Sequence, residues 1–194
     1  MKNYFFLLLF FSIFFNSAFA KNFKSKNGYT FKIPKGYEVL ERDFKELYGE
    51  AEDKISLDKN LSKELLEYSD QYITYVFNRR DLSPDKSAIN ITTAPDDFDT
   101  TPDTLKADCN EITTLMNELY THIEVQTYLC EQVNFDRFTD GLRIMYDSYF
   151  VNYIAIQYSF DLGKNTINVT GSCLEQNCKK LDKIINDIIN NLYW

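Results

Sequence analysis

Histidine is nearly missing from this chain: His122 is the only one in 194 residues. A Ser-His-Asp or Cys-His mechanism would have to run through it. It falls at a predicted helix-to-strand junction, and no Gly-x-Ser-x-Gly elbow occurs anywhere. His122 therefore reads as a structural or surface residue, and no catalytic residue is assigned. Past residue 20 no apolar stretch is long enough to span a bilayer. Glycine and proline are scarce, at 6 and 4. With no Gly/Ser-rich linker and no internal repeat, residues 21–194 read as one domain, long enough to bury a proper core. Basic residues are outnumbered 21 to 29, for a net charge of −8. That balance disfavours nucleic acid and anionic membranes as partners, and leaves cationic proteins, peptides and metal ions open.

The one long apolar run opens the chain. Residues 1–20 begin with Lys2, continue through Phe and Leu, and end Ala18-Phe19-Ala20. A basic start, an apolar centre and small residues before the break describe a signal peptide cleaved after Ala20. An uncleaved anchor is the competing reading, but Ser12, Asn16 and Ser17 interrupt the run. No cysteine follows the cleavage point, which argues against a lipoprotein. The expected location is periplasmic or secreted, with no membrane insertion once the leader is removed. All four cysteines, Cys109, Cys130, Cys173 and Cys178, lie in the exported part. An even count in an oxidising compartment predicts two disulfides. The short spacing of Cys173 and Cys178 leaves Cys109 to pair with Cys130. Loop entropy assigns these roughly 2 and 3 kcal/mol. A four-thiolate zinc site needs tighter spacing than Cys109 and Cys130 supply.

Along the exported part the apolar period changes several times. Residues 28–33 alternate as a strand, closed by a Pro34-Lys35-Gly36 turn, while residues 21–27 read as a loose polar arm. Residues 37–41 continue as a second short strand. A short helix over 60–68 precedes strands at 72–78 and 88–92, which are expected to pair as a hairpin. Thr101-Pro102-Asp103 is a helix start, with Leu105, Cys109, Ile112, Met116 and Leu119 on one face of a helix to about residue 120. The strand at 123–130 puts Cys130 opposite its apolar set, which implies either a bulge there or a bond across the sheet edge. Leu142, Ile144 and Tyr146, then Ile154, Ile156, Tyr158 and Phe160, then Ile167, Val169 and Gly171 alternate as a meander. Leu181, Ile184, Ile185, Ile188, Ile189 and Leu192 form the stripe of a closing helix. A sheet with one oily face would bury it against that stripe. The expectation is an α+β domain: an antiparallel twisted sheet of six or seven strands with a mid-chain helix and a C-terminal helix packed on it.

This order, with Phe31-Lys32-Ile33-Pro34-Lys35-Gly36-Tyr37 near the start, Ile167-Asn168-Val169-Thr170-Gly171 near the end and then Asp182-Lys183-Ile184-Ile185-Asn186-Asp187-Ile188-Ile189, resembles the PsbP/Mog1-like group of domains. The group includes small exported bacterial proteins. The matching residues are packing and turn residues at both ends of the domain. The resemblance implies a binding or assembly module rather than an enzyme, and it carries over no catalytic set. The cysteines are not part of its pattern.

Four other features bear on chemistry. Asp96, Asp97, Asp99 and Asp103 offer hard oxygen ligands, but their spacing lacks the glycine and terminal glutamate of an EF-hand, and capping and solvation explain them. Cys173 and Cys178 have four residues between them where thiol oxidoreductases have two, so a structural clip is the better reading. Asn60-Leu61-Ser62, Asn90-Ile91-Thr92 and Asn168-Val169-Thr170 fit the glycosylation pattern, but two of the three fall in predicted strands. Tyr146, Tyr149, Phe150 and Tyr153 cluster around a hairpin bend of the meander, where alternation cannot bury them all. Exposed aromatics are enriched in binding hot spots. The expected function is an exported, non-enzymatic binding or accessory module for a protein or peptide partner, preferably a basic one, with no cofactor. These four aromatics are its candidate contacts. The alternative is a metal-dependent or hydrolytic envelope enzyme built on the Asp96 to Asp103 loop.

Overall fold

A computed structural model describes residues 21–46, 71–78, 88–94, 109–110, 113–114, 126–139, 141–147, 152–163 and 165–194. Nine strands lie among them: β1 (Asn22–Lys24), β2 (Thr30–Lys32), β3 (Tyr37–Asp43), β4 (Tyr72–Asn78), β5 (Ile89–Ala94), β6 (Thr127–Val133), β7 (Gly141–Asp147), β8 (Tyr153–Asp161) and β9 (Thr166–Leu174). A 3-10 turn, Glu175–Asn177, leads into helix α1 (Cys178–Ile189). Strands β3 to β9 form one antiparallel sheet in the order β3-β4-β5-β9-β8-β7-β6. The fold class is α+β, as the periodicity predicts. The helix expected over 60–68 lies outside the described residues, as does residues 1–20. Of the mid-chain helix, Cys109, Asn110, Thr113 and Thr114 are described and are helical.

The arm expected at 21–27 is ordered as β1. It pairs with β2 rather than with the main sheet, Phe23 opposite Phe31, and the two rings meet at 5.4 Å. Phe31 is buried in the core, and the pairing lets the partly buried Phe23 pack against it. The hairpin then caps the edge of the core. Buried Tyr29 donates to Thr74 Oγ1 at 2.6 Å, and Ser25 donates to Glu41 Oε1, also at 2.6 Å.

Residues directly opposite in an antiparallel pair share a face, so the register decides what each face carries. Met145 is opposite Ile156 and Arg143 is opposite Tyr158, whereas Ile144 is opposite Gln157. Leu142, Ile144 and Tyr146 therefore lie on the other face from Ile154, Ile156, Tyr158 and Phe160. The single oily face expected from the alternation is two buried faces. Alternation within a strand says which residues share a side, but not which side faces which neighbour.

The first face packs under α1. Leu181, Ile185, Ile188 and Ile189 are buried against Val76, Ile89, Ile91, Ile156, Ile167 and Val169. Gly171 makes room for this crossing. A Cβ there would sit 3.1 Å from Leu181 Cδ2 and 3.3 Å from Ile185 Cδ1. On the second face Leu142 and Ile144 are fully buried. There the helical segment at Cys109 is held to edge strand β6 by the Cys109–Cys130 disulfide, with Cα atoms 6.1 Å apart. Thr113 and Thr127 share a hydroxyl hydrogen bond of 2.6 Å beside it. The register slips between Thr127 and Leu129, so Tyr128 is the extra residue of a bulge, and Thr127 and Cys130 come to one side. Both alternatives for Cys130, bulge and sheet edge, are realised together.

Candidate functional site

The site is an interruption in the sheet. Strand β5 starts at Ile89, which is paired with Val76 of β4 and Gly171 of β9. Beyond that point β4 runs on to Asn78, opposite Tyr37, and β9 runs on to Leu174, opposite Tyr153. Among the described residues no strand pairs with both of them past Ile89. The result is a notch of about 300 Å³, lined by Tyr37 and Asn78 on one side, Tyr153, Ser172 and Leu174 on the other, and Lys180, Leu181 and Ile184 of α1.

The notch has stiff walls. Cys173 and Cys178 form a disulfide with Cα atoms 5.1 Å apart, joining the end of β9 to the first residue of α1. Both sulfurs are buried, as a structural clip requires. One turn further along α1, Asp182 enters a charged network. Arg143 donates to Asp182 Oδ2 at 3.0 Å and to Glu131 Oε1 at 2.7 Å. Tyr158 donates to Asp182 Oδ1 at 2.8 Å and accepts from Asn186 Nδ2 at 3.0 Å. Burial, followed by the hydrogen bond to the Asp182 carboxylate, pushes the Tyr158 hydroxyl up to about 12. The network spans β6, β7, β8 and α1, so it fixes the rotation of the helix that presents Lys180, Leu181 and Ile184 to the notch.

The four candidate aromatics do not end up equivalent. Tyr153 is half-buried and lines the notch. Tyr146 is only 5% exposed, and its hydroxyl donates to Gln157 Oε1 at 3.2 Å. Its ring supports the second face and is not presented to solvent. Tyr149 and Phe150 lie outside the described residues, as do Asp96, Asp97, Asp99, Asp103 and His122. Among the described residues no three His, Cys, Asp or Glu side chains converge as metal ligands would. Sequence reading missed Tyr37, Asn78 and Lys180. They are far apart in the chain and meet only through the β3–β4 register and the placement of α1, which no local pattern announces.

No protein-family model matches the chain, and no curated protein does either. Among solved structures, cyanobacterial PsbP (CyanoP) from Synechocystis sp. PCC 6803 superposes with a TM-score of 0.58 over 92% of this chain and 95% of that one, at 10% sequence identity. The fold is PsbP-like. A protein of Bacteroides thetaiotaomicron aligns with a TM-score of 0.48 at 10% identity, over 90% of this chain and 48% of its own. The likeness is one of fold. In this PsbP-like domain one disulfide is on edge strand β6 and the other is at the end of the central strand β9, where it hands over to α1 beside the notch.

Proposed function

We propose that the protein is an exported, non-enzymatic accessory module that holds a protein or peptide partner at the Tyr153 notch. The observation behind this reading is the notch itself: two tyrosines, Tyr37 and Tyr153, line one cavity together with Cys173 of the Cys173–Cys178 disulfide. Binding sites combine a few placed polar groups with aromatic and aliphatic lining, and rigid walls reduce the ordering cost of association. The leader-like residues 1–20 and the two disulfides support export, since such bonds persist in oxidising compartments. The acidic net charge favours a basic partner. A further contact set is Tyr149 and Phe150, next to Tyr153 in the chain. The test places a photo-crosslinking amino acid at position 153 of the oxidised, leader-processed protein in its own envelope and culture fluid. One stoichiometric adduct, lost on Tyr37→Ala, supports the reading. Labelling at 153 no stronger than at a distant surface position, such as 136, would end it.

A further inference from the structure

Strand β8 runs from Tyr153 to Asp161, so its far end lies about 26 Å from the notch at the usual rise per residue. A second aromatic site is built there. After α1 the chain doubles back, and Tyr193 pairs with Thr30 of β2 through two backbone hydrogen bonds of 2.7 and 2.8 Å. The backbone is thereby fastened, yet the rings remain outside: Tyr193 is 52% exposed and Trp194 54%. The Arg137 guanidinium lies 3.5 Å over the Tyr193 ring, and Trp194 stacks on Tyr29 at 6.2 Å. Between them opens a cleft of about 530 Å³ with Phe138, Leu162 and Leu192 as its floor. Phe138 and Leu192 are buried. Exposed Trp, Tyr and Arg around an apolar hollow are the composition of an interface hot spot. Pinning the rings before a partner arrives lowers the cost of docking.

Charge selects the occupant. The Arg137 charge is engaged with the Tyr193 ring. Asp161, on the rim, accepts the Gly163 N–H at 2.6 Å through one oxygen and forms no ion pair with any described residue. The chain as a whole carries −8. A cation brought beside Asp161 would meet a carboxylate with no ion-pair partner among the described residues, in the field of a chain of net charge −8. We propose that this cleft docks a basic segment of a partner protein, with one apolar side chain entering the floor and an adjacent lysine or arginine meeting Asp161. The site goes beyond the Tyr153 notch and does not depend on it.

Trp194 is the only tryptophan in the chain, so its emission reports on this cleft alone. The probe is a blocked hexapeptide, Gly-Lys-Leu-Phe-Lys-Gly, titrated into the oxidised protein at low salt, with Gly-Glu-Leu-Phe-Glu-Gly as its counterpart. The expected result is a saturable blue shift with the lysine peptide and binding at least about ten-fold weaker with the glutamate peptide. Asp161→Asn retains the acceptor for Gly163 and should weaken the lysine peptide about three-fold, as an exposed ion pair does. Tyr153→Ala should leave the titration unchanged, which separates this site from the notch. The proposal is overturned if the two peptides shift Trp194 equally, if neither does, or if protein concentration alone shifts it, which would mean that a second copy of the chain fills the cleft.

Discussion

Replacing Asp182 with alanine tests whether the charged network sets the position of α1. The substitution removes two interactions at once: the 3.0 Å contact from Arg143 and the 2.8 Å hydrogen bond from Tyr158. Arg143 retains Glu131, whose side chain is 45% exposed, while its own is only 18% exposed. A buried hydrogen bond to a charged group contributes about 1.5–3 kcal/mol, and the partial exposure of Asp182, at 24%, places the loss at the lower end after solvent screening. With the neutral part of the network also weakened, Asp182→Ala should cost about 2–3 kcal/mol. At a urea dependence of about 2 kcal/mol per molar, the midpoint would fall by about 1 M without a change in slope. Arg143→Met, which removes the cation and keeps an apolar stem beside Met145, should cost less, about 1 kcal/mol, because Asp182 can then be hydrated. Tyrosinate absorbance supplies an independent readout, since without the Asp182 carboxylate Tyr158 should ionise at lower pH. A loss under 0.5 kcal/mol by the Asp182 variant on the order-of-magnitude scale for surface substitutions, or a larger loss by Arg143→Met, would refute the network as the positioning device.

Tyr29 and Tyr158 are both pushed up to about 12, chiefly by burial. The unfolded chain releases these protons near pH 10 while the folded chain keeps them, so stability is intact below pH 10 and falls as pH rises toward 12, by at most roughly 3 kcal/mol for each tyrosine; denaturant titrations at pH 9, 10 and 11 give the slope. Gly141→Ala would drive a Cβ into the ring of fully buried Phe160, and Gly171→Ala would place one at 3.1 Å from Leu181. Overpacking of this kind costs about 1–3 kcal/mol, and Gly141→Ala should show the larger drop in urea midpoint, because a ring yields less readily than a leucine methyl. Tyr37→Ala should abolish the position-dependent adduct formed from position 153 while lowering stability by no more than about 1 kcal/mol in urea, since the Tyr37 ring is half-buried at a strand end.

Much of the frame was legible because it depends on local periodicity. The strand expected at 72–78 is β4 to the residue, and the closing stripe is α1, with Leu181, Ile185, Ile188 and Ile189 inward. The turn between the last two strands of the meander is closed by Leu162 N–H to Asn165 O at 2.8 Å, with Gly163 at φ +85, where a side chain would be strained. Both disulfide pairings follow from spacing and count. What could not be read depends on which strand lies beside which. Tyr37 and Tyr153 line one cavity although 116 positions separate them in the sequence. Tyr193 and Trp194 follow the closing stripe and carry no pattern of their own, and the bridge from Tyr193 to Thr30 makes them a fixed surface. Strand β1 was missed because Asn22 and Lys24 flank Phe23 and mask a pairing that brings a single ring onto Phe31.

The unequal composition of the two sheet faces explains where the longer disulfide lies, and yields a prediction of its own. The face under α1 is apolar across β4, β5, β9 and β8. The other face is apolar toward β7, with Leu142, Ile144 and Tyr146 buried beside Ala155. It turns polar at the centre, where Gln157, Ser159 and Asn168 bond to one another at 2.6–3.4 Å. Only the β7 side of that face therefore loses hydrophobic stabilisation when wetted, and that is where the helical segment at Cys109 is clipped to Cys130 and hydrogen-bonded through Thr113. Replacing Cys109 and Cys130 by serine should cost about 3 kcal/mol by loop entropy and also raise binding of an apolar dye, as Leu142 and Ile144 become accessible. Replacing Cys173 and Cys178 by alanine should cost about 2 kcal/mol with no increase in dye binding, because α1 keeps its own apolar stripe and its Asp182 anchor. Equal dye binding by the two variants would mean that the Cys109 segment does not protect the β7 side of the sheet.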